Sequence, residues 1–202
     1  MEYWHDLIVE KSWNALQKIK REFNFILIGG WAIYLYTKGL KSKDIDIIVD
    51  FETLNKIRKR YSLIKNDKLK KYEIKIDEID VDIYVKKFSK LPMPVEEIER
   101  NTNLIEGFKL VKPEVLLILK QAAEFARDTS EKGIKDKIDI INLLIKSDIN
   151  FNFYYELIKK YNLHNYKNRL IQIIKNFNYL DRLNLNVKEY KKIKLRLLKE
   201  LR

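Results

Sequence analysis

Residues 42–49 read Ser-Lys-Asp-Ile-Asp-Ile-Ile-Val, which sets two carboxylates beside a run of large apolar side chains. Such an apolar run is typical of a β-strand that is covered on both faces of a sheet. Side chains two residues apart in a strand point the same way, roughly 6.5 to 7 Å apart, so Asp44 and Asp46 share a face. Like charges this close repel each other unless a cation lies between them, and Mg²⁺ prefers oxygen ligands. The stretch predicts a strand over residues 43–50 that carries a metal-binding carboxylate pair.

A glycine turn precedes this strand. Residues 25–28 are a short apolar run that ends at Gly29-Gly30, which predicts a buried strand entering a tight turn. We expect a helix to begin at Trp31 and to run to Tyr36. A strand, a glycine turn and a helix therefore lead into the acidic strand.

A second acidic strand follows further along the chain. Residues 79–85 alternate in polarity, with Asp80 and Asp82 on one face, and we expect them to pair in antiparallel fashion with residues 72–76 across a turn near residues 77–78. A third carboxylate from this strand would allow two metal ions about 3.5–4 Å apart. An isolated Asp-x-Asp strand can also be a plain solvent-facing polar edge, and that alternative stays open for each strand on its own.

Together these stretches resemble the nucleotidyltransferase superfamily, whose fold is shared by the polymerase-beta-like enzymes. The family pattern is a strand, Gly-Gly or Gly-Ser, a helix, and then acidic-hydrophobic-acidic on the next strand, with a third acidic residue on a later strand. The chain matches this pattern over about residues 25–86, with Ile28-Gly29-Gly30-Trp31-Ala32, Ser42-Lys43-Asp44-Ile45-Asp46-Ile47 and Val81-Asp82-Ile83.

The resemblance implies a role for each matching residue. Asp44 and Asp46 would bind Mg²⁺ (or Mn²⁺) on the triphosphate, and Asp82 would help to hold a second metal ion and orient the attacking hydroxyl. Asp80 is the alternative third ligand. The nucleotide would lie against the residues of the glycine turn and of the segment before the acidic strand: Gly29, Gly30, Ser42 and Lys43. The implied reaction transfers a nucleoside monophosphate from a nucleoside triphosphate to an acceptor hydroxyl and releases pyrophosphate.

The sequence pattern changes from mixed strands and helices to helices alone at Lys112-Pro113. Proline suits the first turn of a helix, and the rest of the chain is helical in pattern, over residues 113–127, 134–146, 151–161, 165–179 and 187–201. Residues 104–111 would add an edge strand to the sheet before this point. The sequence thus predicts an α+β protein: a small mixed-sheet nucleotidyltransferase domain with flanking helices at residues 1–112, and a helical bundle at residues 113–202.

The helical half contains a further set of charged residues. Lys120 and Arg127 fall on one stripe of a helix, and Asp136 and Asp139 share a face of the next one. Ordinary surface ion pairing between helices is one interpretation. The other is a resemblance to the AbiEii toxin-like nucleotidyltransferases, which implies that Lys120 and Arg127 bind the nucleotide. In that case residues 132–135 would form a flexible basic loop over it.

Composition and charge limit the remaining possibilities. The 202 residues include no cysteine, which excludes disulfides and thiolate metal sites. The N-terminal sequence lacks a secretory signal pattern and no apolar run is long enough to span a bilayer, so we expect a cytoplasmic protein without a membrane partner. The formal net charge is +12, and residues 151–202 carry 13 Lys and Arg against 4 Asp and Glu. A basic segment of this kind attracts phosphate-rich partners such as tRNA or other RNA.

Three functions are consistent with these patterns. The first is a nucleotidyltransferase that acts on RNA, protein or a small molecule. The second is a catalytically silent module of the same fold, such as a toxin–antitoxin component or an RNA-binding adaptor. The third is a nucleic-acid-binding protein whose acidic strands are incidental. The sequence does not distinguish the acceptor, the preferred nucleotide or the oligomeric state.

Overall fold

The computed structural model describes residues 2–201, with side chains from Asp6 onward. The chain separates into two compact units, Met1–Lys112 and Pro113–Arg202. Within the described part of the chain, no helix combines the length and the apolar character that crossing a bilayer would require.

The first unit is built around a seven-stranded sheet with helices. Its elements in chain order are α1 (Glu2–Glu22), β1 (Ile26–Ile28), α2 (Gly29–Thr37), β2 (Ile45–Ile48), α3 (Phe51–Arg60), β3 (Ile64–Asn66), β4 (Lys71–Ile76), β5 (Ile79–Tyr84), α4 (Val95–Arg100), β6 (Thr102–Ile105) and β7 (Phe108–Val111).

The sheet has the strand order β3-β4-β5-β2-β1-β7-β6. β2 lies at its centre, antiparallel to β1 and parallel to β5, and β1 is parallel to β7. Ile45 and Ile47 of β2 are fully buried. Because side chains alternate along a strand, this anchoring turns Asp46 to the opposite face. The mixed sheet with flanking helices, followed by helices alone, confirms the predicted α+β class.

The predicted edge strand of this unit is wrong in detail, and two short elements have no prediction. Residues 104–111 are not one edge strand but the hairpin β6–β7, because Glu106 and Gly107 both adopt left-handed backbone conformations with φ of 49° and 72°, which is the geometry of a tight hairpin turn. Of these two strands, β6 lies at an edge of the sheet, whereas β7 pairs with β1. The short elements β3 and α4 were not predicted at all.

The second unit consists of helices: α5 (Pro113–Arg127), α6 (Glu131–Lys146), α7 (Phe151–Lys160), α8 (Tyr166–Asn176), a 3-10 turn (Asp181–Leu183) and α9 (Val187–Glu200). The predicted basic loop at residues 132–135 is wrong, because these residues form the first turns of α6. Ser130 caps that helix, its hydroxyl accepting a hydrogen bond of 3.1 Å from the amide of Gly133.

Candidate active site

Asp46 lies beside the glycine turn because β1 and β2 are antiparallel and pair Ile28 with Asp46. Gly29 then follows β1, begins α2 and has a φ of +67°. A Cβ atom at Gly29 would lie only 2.1 Å from Oδ2 of Asp46. Position 29 therefore requires glycine for two reasons: the backbone is left-handed, and the carboxylate of Asp46 occupies the space of a side chain.

Gly30 makes room for a second polar side chain. A Cβ atom at Gly30 would lie 2.6 Å from Oγ of Ser42, and Ser42 is buried with 6% of its surface exposed. Lys43 is exposed. The immediate neighbours of the two glycines are thus a carboxylate and a hydroxyl of the chain itself. Contact of these residues with a nucleotide stays a prediction.

The beginning of α2 favours an anion over a cation. Its N-cap residue Ile28 offers no capping side chain, and its first turn contains no acidic residue. Backbone amides and the helix dipole give such a terminus a partial positive charge. The carboxylate of Asp46 lies at this terminus.

Asp82 lies directly across from Asp46. β5 is parallel to β2 with Asp46 paired to Asp82, so the two side chains leave the same face of strands that lie about 4.8 Å apart. The predicted strand over residues 43–50 is wrong in its bounds, because β2 covers only Ile45–Ile48 and Asp44 lies before it in an exposed bend. Asp80, the alternative third ligand, instead pairs with Lys75 at 3.2 Å, with 58% of the Asp80 side chain exposed.

Two polar residues next to Asp82, and a third that contacts one of them, were not predicted from the sequence. Glu73 of β4 pairs with Asp82 across the hairpin, which extends the acidic row to a third strand. The ammonium of Lys71 donates to Oδ2 of Asp82 at 2.5 Å and lies 3.0 Å from Oε1 of Glu73. The amide of Asn66 also donates to Oε1 of Glu73, at 3.0 Å.

Burial and crowding of charge set the acid–base properties of this cluster. Burial raises the pKa of Asp82; the hydrogen bond from Lys71 works against this shift, whereas the charges of Glu73 and Asp44 add to it. Burial on its own lowers the pKa of Lys71, but its hydrogen bonds to Asp82 and Glu73 outweigh that effect and raise the pKa above its usual range. Lys71 is therefore held firmly in its charged form.

The donor set fits a hard divalent cation that also binds phosphate. Across the described side chains, no three His, Cys, Asp or Glu residues are already gathered into a metal cage. Mg²⁺ does not require such a cage, because it is usually bound by one or two carboxylates together with water and substrate phosphates. Asp46 lies at a helix terminus that suits phosphate, and metal binding by Asp44 and Asp46 stays a prediction.

Lys120 and Arg127 lie in the second unit and contact acidic residues of α6. The Lys120 ammonium donates to Asp136 at 3.2 Å and to Asp139 at 2.7 Å, and the Arg127 guanidinium contacts Asp136 at 2.7 Å. Both aspartates are 1% exposed. The predicted ion pairs are thus present, with Lys120 and both aspartates buried and the Arg127 side chain 40% exposed. Nucleotide binding by Lys120 and Arg127 stays a prediction.

A second buried ion pair joins α5 to α8. Glu124 is 0% exposed and accepts two hydrogen bonds from the guanidinium of Arg169, one from Nε to Oε2 at 2.9 Å and one from Nη2 to Oε1. Arg169 also lies 2.8 Å from Asp128. Together with Lys137, 3.6 Å from Glu124, these residues neutralise charge inside the helical unit.

Solved structures similar to this chain have the nucleotidyltransferase fold. A Helicobacter pylori protein assigned as a nucleotidyltransferase matches with a TM-score of 0.52 and 19% identity, over 96% of this chain and 95% of its own. JHP933 from Helicobacter pylori gives 0.51 and 18%, over 96% and 92%. ANT(2")-Ia in complex with adenylyl-2"-tobramycin gives 0.51 and 13%, over 78% and 97%.

At these identities the similarity establishes the fold and nothing finer. No protein-family model and no curated protein sequence matches the chain. The chain therefore has the nucleotidyltransferase fold, and the acidic row next to the glycine turn is its candidate active site.

Proposed function

We propose that the protein is a nucleotidyltransferase that transfers a nucleoside monophosphate from a nucleoside triphosphate to an acceptor hydroxyl. The observation that carries this proposal is the pairing of Asp46 with Asp82 on adjacent parallel strands, with Asp46 seated against Gly29 at the start of α2. A phosphate-favouring helix terminus and two carboxylates on one sheet face then meet in one place.

In this proposal Asp44 and Asp46 hold Mg²⁺ (or Mn²⁺), and Asp82 is the third ligand in preference to Asp80. A bound divalent ion supplies charge neutralisation on the triphosphate. The amides at the start of α2, with Ser42 beside Gly30 in space and Lys43 next to Ser42 in the chain, bind phosphate oxygens and orient the α-phosphorus towards the acceptor.

Asp82 acts on the acceptor. Its carboxylate accepts the proton of the hydroxyl as the hydroxyl oxygen forms a bond to the α-phosphorus and the bond to the bridging oxygen of pyrophosphate breaks. The raised pKa of Asp82 suits a group that must receive a proton. The complex of ANT(2")-Ia with adenylyl-2"-tobramycin supports the proposal, since it shows that this fold can hold a nucleotidyl group joined to an acceptor.

The test is transfer of label from each of the four nucleoside triphosphates to bulk RNA, protein and small hydroxylated acceptors, with magnesium present. We expect Asp46→Asn and Asp82→Asn each to lower transfer by at least about 100-fold. Asp80→Asn is the matched control, because it removes a carboxylate from the same strand and the same face, and it should leave transfer within about twofold. Transfer that survives Asp46→Asn, or no transfer to any acceptor, contradicts the proposal.

RNA is the acceptor that the charge of residues 151–202 favours. A catalytically silent adaptor of the same fold, including a toxin–antitoxin component near the AbiEii group, would behave differently in calorimetry. It would bind no nucleotide in a magnesium-dependent way, whereas the proposed enzyme would do so and would lose that binding on Asp44→Asn.

A further inference from the structure

Lys71 occupies an unusual position for a lysine. Only 13% of its side chain is exposed, and its ammonium contacts two carboxylates, Asp82 at 2.5 Å and Glu73 at 3.0 Å. The Asp82 and Glu73 side chains are themselves 21% and 32% exposed. A compact positive charge thus lies on the carboxylate that the proposed function assigns to a metal ion.

We propose that Lys71 is a positioning residue that acts as a tethered cation: it holds Asp82 in the nucleotide-free protein and gives way there to a divalent ion. The inference rests on the proposed function, because that function places Asp82 in the metal site. The Lys71 ammonium and a metal ion then compete for the Asp82 carboxylate.

Glu73 makes this exchange possible. It lies opposite Asp82 in the register of β4 and β5, and the amide of Asn66 fixes its Oε1 atom at 3.0 Å. When Asp82 turns to a divalent ion, Lys71 keeps its contact with Glu73. The exchange therefore leaves no half-buried ammonium without a partner, which would be costly.

Lys75 provides a natural comparison on the same strand. It lies across from Asp80 and pairs with it at 3.2 Å, but the two side chains are 71% and 58% exposed. Solvent screens such a pair, so its loss has little effect on the charge at Asp82. Lys71 and Lys75 thus differ in burial and in partner, while both are lysines of β4 that pair with an aspartate of β5.

The test is a calorimetric titration of the nucleotide-free protein with MnCl₂. We expect Lys71→Met to bind Mn²⁺ at least about tenfold more tightly than the wild type, because a unit charge a few ångströms from the site no longer opposes the ion. Lys75→Met should match the wild type. The double variant Lys71→Met/Asp82→Asn should lose the gain. Equal or weaker Mn²⁺ binding by Lys71→Met overturns the proposal.

Removal of Lys71 alone leaves two neighbouring carboxylates without their cation, and the variant could fail to fold. Lys71→Met/Glu73→Gln removes one charge of each sign, and it should bind Mn²⁺ at least about tenfold more tightly than Glu73→Gln alone; its failure to do so also overturns the proposal. A gain in Mn²⁺ affinity without any nucleotidyl transfer would refute the proposed enzyme and retain the exchange. Transfer that depends on Asp46, with no gain in Mn²⁺ affinity, would support the proposed enzyme and refute the exchange.

Discussion

At the candidate site, Gly29 is the residue whose replacement is most restricted, because it packs directly against Asp46. The space that a Cβ atom would need at Gly29 is filled by the Asp46 carboxylate, and the backbone there is left-handed. The position of the carboxylate and the turn between β1 and α2 therefore depend on each other.

Gly29→Ala should accordingly damage the site more than the fold. We expect transfer activity to fall by at least about 100-fold, because the new methyl group displaces Asp46, and we expect the unfolding free energy to fall by about 1–2 kcal/mol for the left-handed backbone. Denaturant unfolding and the transfer assay measure the two effects. Gly107→Ala is the control: its φ is +72°, but its nearest neighbour is the flexible Lys20 ammonium. Similar activity in both variants would contradict the prediction.

For single residues, the sequence indicated the candidate carboxylates but not the side chains that contact them. Asp44, Asp46 and Asp82 could be selected from alternation along two strands, but the choice between Asp80 and Asp82 depends on register between strands. Lys71 and Glu73 carried a signal that was not used. With a two-residue turn at Asp77 and Glu78, counting back along the hairpin pairs residue 73 with residue 82. The contact of Lys71 with both carboxylates is a matter of side-chain packing, which no such count provides.

Helix α3 of the first unit depends on a short polar residue at its N-terminus. Asp50 is the N-cap of α3, and its carboxylate accepts a hydrogen bond of 2.7 Å from the amide of Thr53. That hydrogen bond, with a further one from the Thr53 hydroxyl, lowers the pKa of Asp50 below its usual value.

Asp50→Ala should lower the unfolding free energy by about 1 kcal/mol at neutral pH. Because the folded-state pKa is depressed, the stabilisation by Asp50 is complete above the unfolded-state pKa of about 4 and is lost as the pH falls through the folded-state value. The difference between wild type and Asp50→Ala should therefore shrink in acid. Denaturant unfolding between about pH 7 and pH 2.5 measures this. Asp50→Asn, which keeps the cap at every pH, is the control, and a difference that grows in acid would contradict the prediction.

The ion pair between α5 and α8 gives a second prediction about elements. Arg169→Ala leaves the fully buried Glu124 without its guanidinium, and we expect the unfolding free energy to fall by roughly 3 kcal/mol. Arg169→Met/Glu124→Leu removes both charges and should recover most of that loss. Arg182→Ala, whose pair with Asp181 is 3.9 Å long and exposed, should cost less than about 0.5 kcal/mol. Equal effects of Arg169→Ala and Arg182→Ala in denaturant unfolding would contradict the assignment.

Most elements could be predicted because their apolar periodicity is strong. The helix Pro113–Arg127 has the predicted bounds, and α9 differs from its prediction only at its last residue. Prediction failed where local turn chemistry decides the structure. Glu106-Gly107 folds back as a hairpin, and Ser130 starts α6 three residues before its apolar pattern begins. β3 has only three residues and its Ile64 is 57% exposed, so no apolar alternation marks it.

At the scale of the whole chain, charge is the property with a functional prediction attached. Lys188, Lys191 and Lys192 are exposed residues of α9 within the basic segment 151–202. Reversing all three to Glu should weaken RNA binding by at least about tenfold at low salt and reduce the salt dependence of the affinity by about 0.7 per lost phosphate contact. Nucleotide binding should not change.

Fluorescence anisotropy with labelled tRNA at several salt concentrations measures that loss. Reversal of three exposed lysines of the first unit, Lys59, Lys68 and Lys90, produces the same net charge and is the matched control. Equal losses in the two triple variants would mean that net charge alone attracts RNA, and would contradict a specific role for α9.

The two-residue turn at Asp77-Glu78 sets the register between β4 and β5. β5 is held by β2 on one side and by β4 on the other, so a shift of β4 by one residue would turn Lys71 to the other face of the sheet while Asp82 stayed opposite Asp46. Lys71 would then lose its contact with Asp82, although none of the proposed metal ligands had been changed. Under the proposed function, the length of a turn that contains none of the proposed ligands therefore affects how tightly the protein binds a metal ion.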